Sequence, residues 1–219
     1  STYGQFGQKK SAMSQKIDVT LDMKKNWSDY YKSLEGKPST PTLIKALDYF
    51  DNNIDLQKKS IDIGCGNGLD IQELLKRDFE IIAFDKEREA IDILNKRFRN
   101  HIGKKLKVEI STMEEFIFPK ASLINASYSI PFCHPDYFMS LWVKIEKSLP
   151  SRGVFCGQLF GKEDSWTIRN NMTFHSNNDI KNLFKNFKFL LFDEKNSIGK
   201  TSTGEEKRWH VFNIVAMKL

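Results

Sequence analysis

The stretch SIDIGCGNGLD, residues 60–70, constrains the fold of this 219-residue chain more than any other part of the sequence. A short apolar run that carries one acid, Asp62, leads into glycines at alternate positions, Gly64, Gly66 and Gly68. Glycine allows a sharp backbone turn and leaves room for a ligand to approach the main chain. Because ligands of open α/β sheets bind beyond the carboxyl ends of the strands, the stretch predicts a strand, a ligand-binding turn and a helix.

Strand and helix patterns alternate from this stretch onward. The strand patterns are SIDIG, EIIAFD, LKVEIS, ASLINASYS and GVFCGQLFG, and helical patterns include GLDIQELLKRDF, EREAIDILNKRFRN and PDYFMSLWVKIEKSL. This alternation predicts right-handed crossovers and a parallel sheet with helices on both faces, an α/β fold. The helical pattern SNNDIKNLFKNF then precedes two long strand patterns joined by a polar loop that contains glycine. They predict an antiparallel hairpin at the end of the sheet.

One domain is expected from the length and composition. With 40% hydrophobic residues, 219 residues can form a single sizeable core. Residues 1–25 are polar and carry five lysines against two aspartates. We therefore expect residues 1–25 to be a tail or lid and residues 26–219 to be one domain. No apolar run approaches the roughly 20 residues of a membrane helix, so no membrane association is expected.

The cysteines indicate the cellular compartment of the protein, and the charges indicate the classes of partner that it can bind. Cys65, Cys133 and Cys156 are odd in number and widely separated, which predicts reduced thiols and a cytoplasmic protein. No cysteine or histidine spacing suits a metal, so none is expected. The net charge of +6 suits either anionic partners or a solvated lysine-rich surface. We favour the surface, because no arginine-rich run is present and half of the excess lies in residues 1–25.

The glycine spacing separates two classes of nucleotide-binding protein. The dinucleotide fingerprint G-x-G-x-x-G requires a third glycine where this chain has Leu69, which disfavours a nicotinamide cofactor. The run DIGCGNG instead resembles the D/E-x-G-x-G-x-G motif of class I S-adenosylmethionine-dependent methyltransferases. The resemblance implies a Rossmann-like, doubly wound, mainly parallel sheet of seven strands with the C-terminal antiparallel hairpin. It also implies that the loop, with Cys65, lies beneath the methionine part of the cofactor and that Asp62 organises the loop. A plain turn between strand and helix is the alternative.

A second acid follows at the expected distance. Asp85 ends EIIAFD, 17 residues after Gly68. A carboxylate at the end of the second strand, about 20 residues past the glycines, can accept both ribose hydroxyl protons. The alternative role of Asp85 is a helix N-cap.

The resemblance implies further contacts with the cofactor. After the third strand, the family often has an acid and an apolar residue at the adenine, and this chain has Thr112 and Met113. The acid is missing, and Glu114 is an alternative. Asn125, Ala126 and Ser127 are expected along the methionine end. The N/D-P-P-Y/F motif of enzymes that methylate base amino groups is absent here, so a nucleic-acid substrate is disfavoured.

The chemistry of methyl transfer determines which further residues the site needs. The reaction is an in-line displacement, for which the protein chiefly supplies position and a dry site. A thiolate or selenide acceptor needs no general base, whereas a neutral oxygen or nitrogen often does, and His134 and His175 are candidate bases. Aromatic residues are expected around the acceptor, with core packing as the alternative role for each: Trp27, Tyr30, Tyr31, Tyr128, Phe132, Phe160, Trp166 and Phe174.

Within the superfamily, the segments WSDYY, SIPFCHP, GQLFGKEDSW, MTFHS and KRWHVF resemble the small tellurite-resistance and thiopurine type. The resemblance implies a cytoplasmic enzyme, monomer or homodimer, that methylates a small molecule with S-adenosylmethionine and releases S-adenosylhomocysteine. An RNA or protein methyltransferase is one alternative, because the chain is basic. A non-catalytic protein that binds S-adenosylmethionine is the other.

Overall fold

The structure is a computed structural model that describes residues 28–29, 31–33, 35–53 and 55–219. The expected tail or lid, residues 1–25, lies outside the described residues, and so do two of the aromatic residues expected around the acceptor, Trp27 and Tyr30. The described chain before the first complete helix includes short helical pieces at 28–29 and 31–33.

Five helices and eight strands make up the rest of the described chain. The helices are α1 Pro41–Asn53, α2 Ile71–Lys76, α3 Arg88–Arg97, α4 Pro135–Ser148 and α5 Asn177–Leu183. The strands are β1 Lys59–Ile63, β2 Glu80–Asp85, β3 Leu106–Ile110, β4 Leu123–Ala126, β5 Val154–Gly161, β6 Phe174–His175, β7 Phe187–Lys200 and β8 Glu206–Lys218. Two single turns of 3₁₀ helix lie at Ile130–Phe132 and Ser165–Ile168.

The strands form one sheet in the order β3-β2-β1-β4-β5-β8-β7. The first five of these pair in parallel, and β8 pairs antiparallel with both β5 and β7. The expected parallel sheet with a C-terminal antiparallel hairpin is therefore confirmed. The sheet has one strand more than the seven expected, since the two-residue β6 pairs with the end of β5.

The helices cover both faces of the sheet, as the alternation of patterns predicts. One face buries Phe84, Trp142, Phe155 and Phe212 beneath α4 and α5. The other face buries Leu43, Leu47, Phe79 and Leu94, which belong largely to α1 and α3 and to the chain leading into β2. Burying both faces of the central strands explains why their sequences are apolar runs with few polar interruptions.

The strand order fixes where a ligand can bind. Strands β2 and β3 lie on one side of β1, whereas β4 and β5 lie on its other side. The strand order therefore reverses between β1 and β4. The loops after β1 and β4 therefore leave in opposite directions and open a crevice at the carboxyl edge of the sheet. Among the described residues, none of the helices combines the length and apolarity that a membrane span requires.

Local signals explain the helix starts. Pro41 and Pro135 each occupy the first position of their helix, where the missing N–H costs nothing. Helix α5 is capped by Ser176, whose side chain accepts from the Asp179 backbone N–H while the Asp179 carboxylate accepts from the Ser176 N–H.

The base candidate His175 lies in the packed interior behind this cap. Its ring lies 4.8 Å from the Phe138 ring, and its Nδ1 atom is buried without a hydrogen-bond partner among the described residues. Burial lowers the pKa of His175 from 6.5 to about 4, although the nearby Asp179 carboxylate opposes the shift. The imidazole is therefore neutral at pH 7.

This burial makes folding stability depend on pH. Between about pH 6.5 and pH 4 the unfolded chain takes up a proton at His175 and the folded chain does not, so stability falls as the pH falls. The contribution amounts to up to about 3 kcal/mol, at 1.36 kcal/mol for each pKa unit. We expect His175→Phe to remove this slope, as measured by urea unfolding at several pH values.

His134→Asn provides the control, since asparagine also caps helices and His134 is only partly buried. The control variant should retain the slope of the wild type between pH 6.5 and pH 4. An unchanged slope in His175→Phe would show that His175 is not the group that titrates.

Candidate active site

The glycine turn after β1 has the backbone conformation that only glycine adopts easily. Gly64 and Gly66 have φ angles of 63° and 53°, and Gly68 has φ 80°. A Cβ on Gly64 would lie 2.7 Å from the Ser129 Cβ, so the glycine lets the turn approach the loop after β4. A Cβ on Gly68 would lie 2.6 Å from the Phe98 ring. Gly68 therefore serves the packing of the chain after α3.

A cavity of about 380 Å³ opens beside this turn, within the roughly 300–1,000 Å³ typical of small-molecule sites. Many of the residues expected at the cofactor line it: Asp62, Gly64, Cys65, Gly66, Asp85, Thr112, Met113 and Ser127. Tyr31, which was expected around the acceptor, lines it too. Gly68, Asn125 and Ala126 do not line it. We call this space the first cavity.

The Asp85 carboxylate is fixed by the backbone on both sides. Its Oδ2 atom accepts from the Gly66 N–H at 3.0 Å, and its Oδ1 atom accepts from the Glu87 N–H at 2.9 Å. Burial raises the pKa of Asp85, and the two N–H donors oppose the shift. Because each carboxylate oxygen has a second lone pair, Asp85 can still accept hydroxyl protons from a ligand in the cavity.

Asp70 is a further acid in the lining of the first cavity, and the sequence did not predict its role. Its Oδ2 atom accepts from the Asn125 amide at 2.8 Å and from the Ser127 hydroxyl at 2.6 Å. Its Oδ1 atom accepts from the Thr40 N–H at 2.7 Å. The only sequence signal for this role is an acid at the start of the helix that follows the glycines.

Asn125 also connects Asp70 with the acid of the glycine motif. Its amide donates to Asp62 Oδ1 at 3.1 Å. Burial raises the pKa of Asp62 well above its ordinary value, and the neighbouring charge of Asp70 raises it further. The two buried carboxylates are therefore held side by side by one amide that donates to both.

The part of the first cavity expected to hold adenine is apolar with few free polar groups. Met113 packs against the core cluster that contains Phe84 and Phe116. The Thr112 hydroxyl accepts from the Glu115 N–H at 3.2 Å and closes a local turn. Glu114, the alternative to the missing acid, lines the cavity near the Cys133 thiol. Burial raises the pKa of Cys133 to about 12, so the thiol is protonated at neutral pH.

A second, larger cavity of about 740 Å³ adjoins the first. The two share the lining residues Thr40, Pro41, Tyr128 and Phe132. The second cavity also contains aromatic residues expected around the acceptor, Phe160 and Trp166, with Trp209 added by the structure. The structure thus places an aromatic-walled space next to the expected cofactor space.

Tyr128 lies at this junction in a strained conformation. Its φ is 50°, an uncommon value for a residue with a bulky side chain. Its backbone N–H donates to the Gln158 Oε1 atom at 2.9 Å, and the Gln158 amide donates to Thr42 and Asn213. Such strain persists only where neighbouring groups hold it, which is common at ligand sites.

Three residues expected near the acceptor lie elsewhere. His134 caps α4, accepting from the Asp136 N–H through Nδ1 at 3.1 Å, and His175 packs on Phe138. Phe174 packs with Phe160 and Met172 in a small cluster. None of His134, Phe174 and His175 lines either cavity.

The first cavity fits S-adenosylmethionine by chemistry. Asp85 presents an acceptor for ribose hydroxyls, and Asp62 is a carboxylate suited to an ammonium group. The buried Ser129 hydroxyl, which has no hydrogen-bond partner among the described residues, also belongs to the lining. Among the same residues, no group of three histidine, cysteine or acidic side chains is arranged to hold a metal ion.

Part of the chain matches a known family model. Residues 61–153, from β1 to the start of β5, match the family model described as a methyltransferase domain. The strand order and the glycine turn agree with the match of residues 61–153 to a methyltransferase domain. No curated protein matches the chain in sequence.

Solved structures show the same fold at low identity. TehB from Haemophilus influenzae aligns with a TM-score of 0.66 and 14% identity, over 80% of this chain and 61% of that chain. The 1,6-didemethyltoxoflavin-N1-methyltransferase of Burkholderia thailandensis, with bound 1,6-didemethyltoxoflavin and S-adenosylhomocysteine, aligns at 0.60 and 14%, over 100% and 92%. A S-adenosylmethionine-dependent methyltransferase from Clostridium acetobutylicum aligns at 0.60 and 14%, over 81% and 90%. This chain spans about three fifths of the TehB chain.

The donation from Asn125 to both Asp62 and Asp70 predicts that this amide stabilises the fold. Asn125→Asp keeps the side-chain shape but replaces the shared donor with a third acceptor, which leaves Asp62 and Asp70 short of a partner. We expect the free energy of unfolding at pH 7 to fall by about 1–3 kcal/mol or more, with partial recovery on acidification as a carboxyl takes up a proton. Urea unfolding at pH 7 and pH 5 measures both effects.

Asn170→Asp, an exposed change in the loop after residue 168, provides the matched control. It should alter the free energy of unfolding by no more than about 0.5 kcal/mol. A loss in Asn125→Asp as small as that of the control would contradict the shared-donor role.

Proposed function

We propose that this protein transfers a methyl group from S-adenosylmethionine to a small-molecule acceptor by in-line displacement. The observation that carries the proposal is the pair of adjoining cavities, one lined by the glycine turn and Asp85 and the other walled by aromatic rings. Their junction at Tyr128 and Phe132 is where a methyl donor in the first cavity and an acceptor in the second meet.

The residues of the first cavity have separable roles in this proposal. Asp85 accepts from the ribose hydroxyls, while Asp62 and the turn from Gly64 to Gly66 face the amino-acid part of the cofactor. Met113 and Thr112 lie at the adenine. When bound, the cofactor supplies a methyl group on a positively charged sulfur, which is already a good leaving group. The protein therefore needs to align the donor and acceptor and exclude water.

We propose that catalysis uses no histidine base. The two histidine candidates lie outside both cavities, and the Cys133 thiol at the edge of the first cavity has its pKa raised to about 12. A soft nucleophile that ionises by itself, such as a thiol, suits this arrangement because it needs no proton acceptor from the protein.

The structure favours a small acceptor over a polymer. The second cavity is a concave space of limited volume, lined by residues of α1, β5, β7 and β8. An RNA or protein acceptor requires a surface groove that continues from the cavity, and a non-catalytic binding protein has no use for the second cavity. We also propose a cytoplasmic setting, supported by Cys65, Cys133 and Cys156, which are all free and buried. A monomer or homodimer remains our proposal for the assembly.

Titration calorimetry tests the cofactor. We expect S-adenosylmethionine to bind and NAD not to bind. Asp85→Ala should weaken S-adenosylmethionine about 10–100-fold, because hydrogen bonds to a charged group contribute about 1.5–3 kcal/mol each. Asp92→Ala, which removes an exposed acid from α3, should leave the affinity unchanged.

Two outcomes contradict the assignment. NAD binding more tightly than S-adenosylmethionine would reject the cofactor, and equal affinity in Asp85→Ala and Asp92→Ala would reject the ribose contact. Binding without methyl transfer to any thiol, selenol, metalloid oxyanion, amine or RNA would support the non-catalytic alternative.

A further inference from the structure

The second cavity contains a cation that the proposed function leaves unused. Arg169 follows the 3₁₀ turn Ser165–Ile168 and lines the cavity. Its guanidinium carbon lies 4.5 Å from the centre of the Trp166 ring, and its backbone N–H donates to the Trp166 carbonyl. Within the described part of the chain, no hydrogen bond or ion pair involves this guanidinium. The side chain is half-buried, so the guanidinium is partly removed from water and has no carboxylate directly paired with it.

The other cation of this wall is already neutralised. Lys207 is buried and pairs with the Asp164 carboxylate. Its ammonium also lies over the rings of Trp166, Trp209 and Phe160, at 4.3, 4.0 and 5.5 Å from their centres. A ligand in the cavity therefore meets Arg169 as a cation that is free to bind, whereas Lys207 is part of the wall.

The charges around the second cavity favour an anion. Its lining contains the cations Lys45, Arg169, Lys195 and Lys200 against the acids Asp193 and Glu205. Lys195 lies 3.7 Å from Asp193 and is paired with it. Glu205 is exposed and lies outside ion-pair distance of Arg169, although it partly opposes the effect of burial, which lowers the pKa of Arg169. Two positive charges therefore remain in excess.

The position of Arg169 sets the size of the ligand. The Trp166 ring contacts both Arg169 and Phe132, and the Phe132 ring centre lies 6.0 Å from that of Trp166. Phe132 lines both cavities and marks the junction where the methyl group is transferred. The guanidinium carbon therefore lies at most about 10.5 Å from the Phe132 ring centre, a distance that a ligand the size of one substituted aromatic ring can span.

We propose that the methyl acceptor is a flat aromatic molecule that carries a carboxylate or a similar anionic group, and that Arg169 binds this group. The inference rests on the proposed function and names the acceptor class of the same site. A guanidinium donates two parallel N–H bonds to a carboxylate, which fixes orientation as well as affinity. The aromatic wall contacts the ring of the ligand, and Tyr128 at the junction limits how far the ring can enter.

The test compares 4-mercaptobenzoate with 4-mercaptobenzamide, which share shape and thiol and differ in charge. Calorimetry is performed on the full chain saturated with S-adenosylhomocysteine. We expect the acid to bind at least tenfold more tightly than the amide. Arg169→Gln should abolish this preference, Arg169→Lys should restore part of it, and Arg99→Gln, an exposed arginine beyond α3, should leave it intact.

Turnover provides the second measurement. The thiolate sulfur of the probe forms a bond to the methyl carbon while the bond from that carbon to the sulfonium sulfur breaks, and the electron pair remains on S-adenosylhomocysteine. The ratio of kcat/KM for acid over amide should follow the binding preference in each variant. Because Arg169→Lys keeps the contact with Trp166, its partial recovery separates loss of the anion contact from damage to the wall.

Different results would contradict the proposed function and the assignment of Arg169. If S-adenosylhomocysteine does not bind, the proposed function is wrong. If it binds and the acid binds no tighter than the amide, or if Arg169→Gln keeps the preference of the wild type, the assignment of Arg169 is overturned while the cofactor site stands.

Discussion

The side-chain amide of Asn125 holds together the chain segments that form the first cavity. It donates from β4 to Asp62 at the end of β1 and to Asp70 at the start of α2. Removing carboxylates from water costs several kcal/mol each unless hydrogen-bond donors replace the water. Asp70 also accepts from Thr40, so the chain before α1 is fixed to the same point. The shape of the glycine turn therefore depends on a polar contact as much as on the glycines themselves.

Asp164 plays a corresponding part on the acceptor side. One of its oxygens accepts from the Trp166 N–H and pairs with Lys207, and the other accepts from the His210 N–H. One buried carboxylate thus ties the turn that carries Trp166 and Arg169 to β8. The cation of Lys207 lies among the rings of the wall, where the pair with Asp164 and the ring faces offset its loss of water. Arg169 lies against the Trp166 ring of this wall.

The sequence predicted the features that depend on neighbours along the chain. Gly64 and Gly66 come just after the end of β1, and Asp85 is the last residue of β2. The alternation of strand and helix patterns is therefore enough to place these residues at the carboxyl edge of the sheet. The long-range contacts of Asp70 and Asp164 could not be predicted, because these partners lie 30 to 57 residues away along the chain. The base candidate His175 shows the converse case, since a histidine in the loop region after β5 can just as well complete the packing on Phe138.

The two cavities have opposite electrostatic character, and this suits the proposed chemistry. The first contains Asp62, Asp70 and Asp85 around the expected place of a positively charged sulfur nucleoside. The second has an excess of cations around the expected place of an anionic acceptor. Transfer of a methyl group from a sulfonium to a thiolate consumes one positive and one negative charge, so charge is lost toward the transition state. Phe132 and Tyr128 line both cavities, and a donor and an acceptor bound there would displace water that otherwise stabilises the separated charges before reaction, which would favour the transfer. In the proposed complex, the acidic residues would bind the sulfonium nucleoside and Arg169 would hold the acceptor's carboxylate, a charge that the reaction keeps. The two ligands would thereby be oriented so that the sulfonium and the thiolate meet at the aromatic rings, where both of their charges are lost.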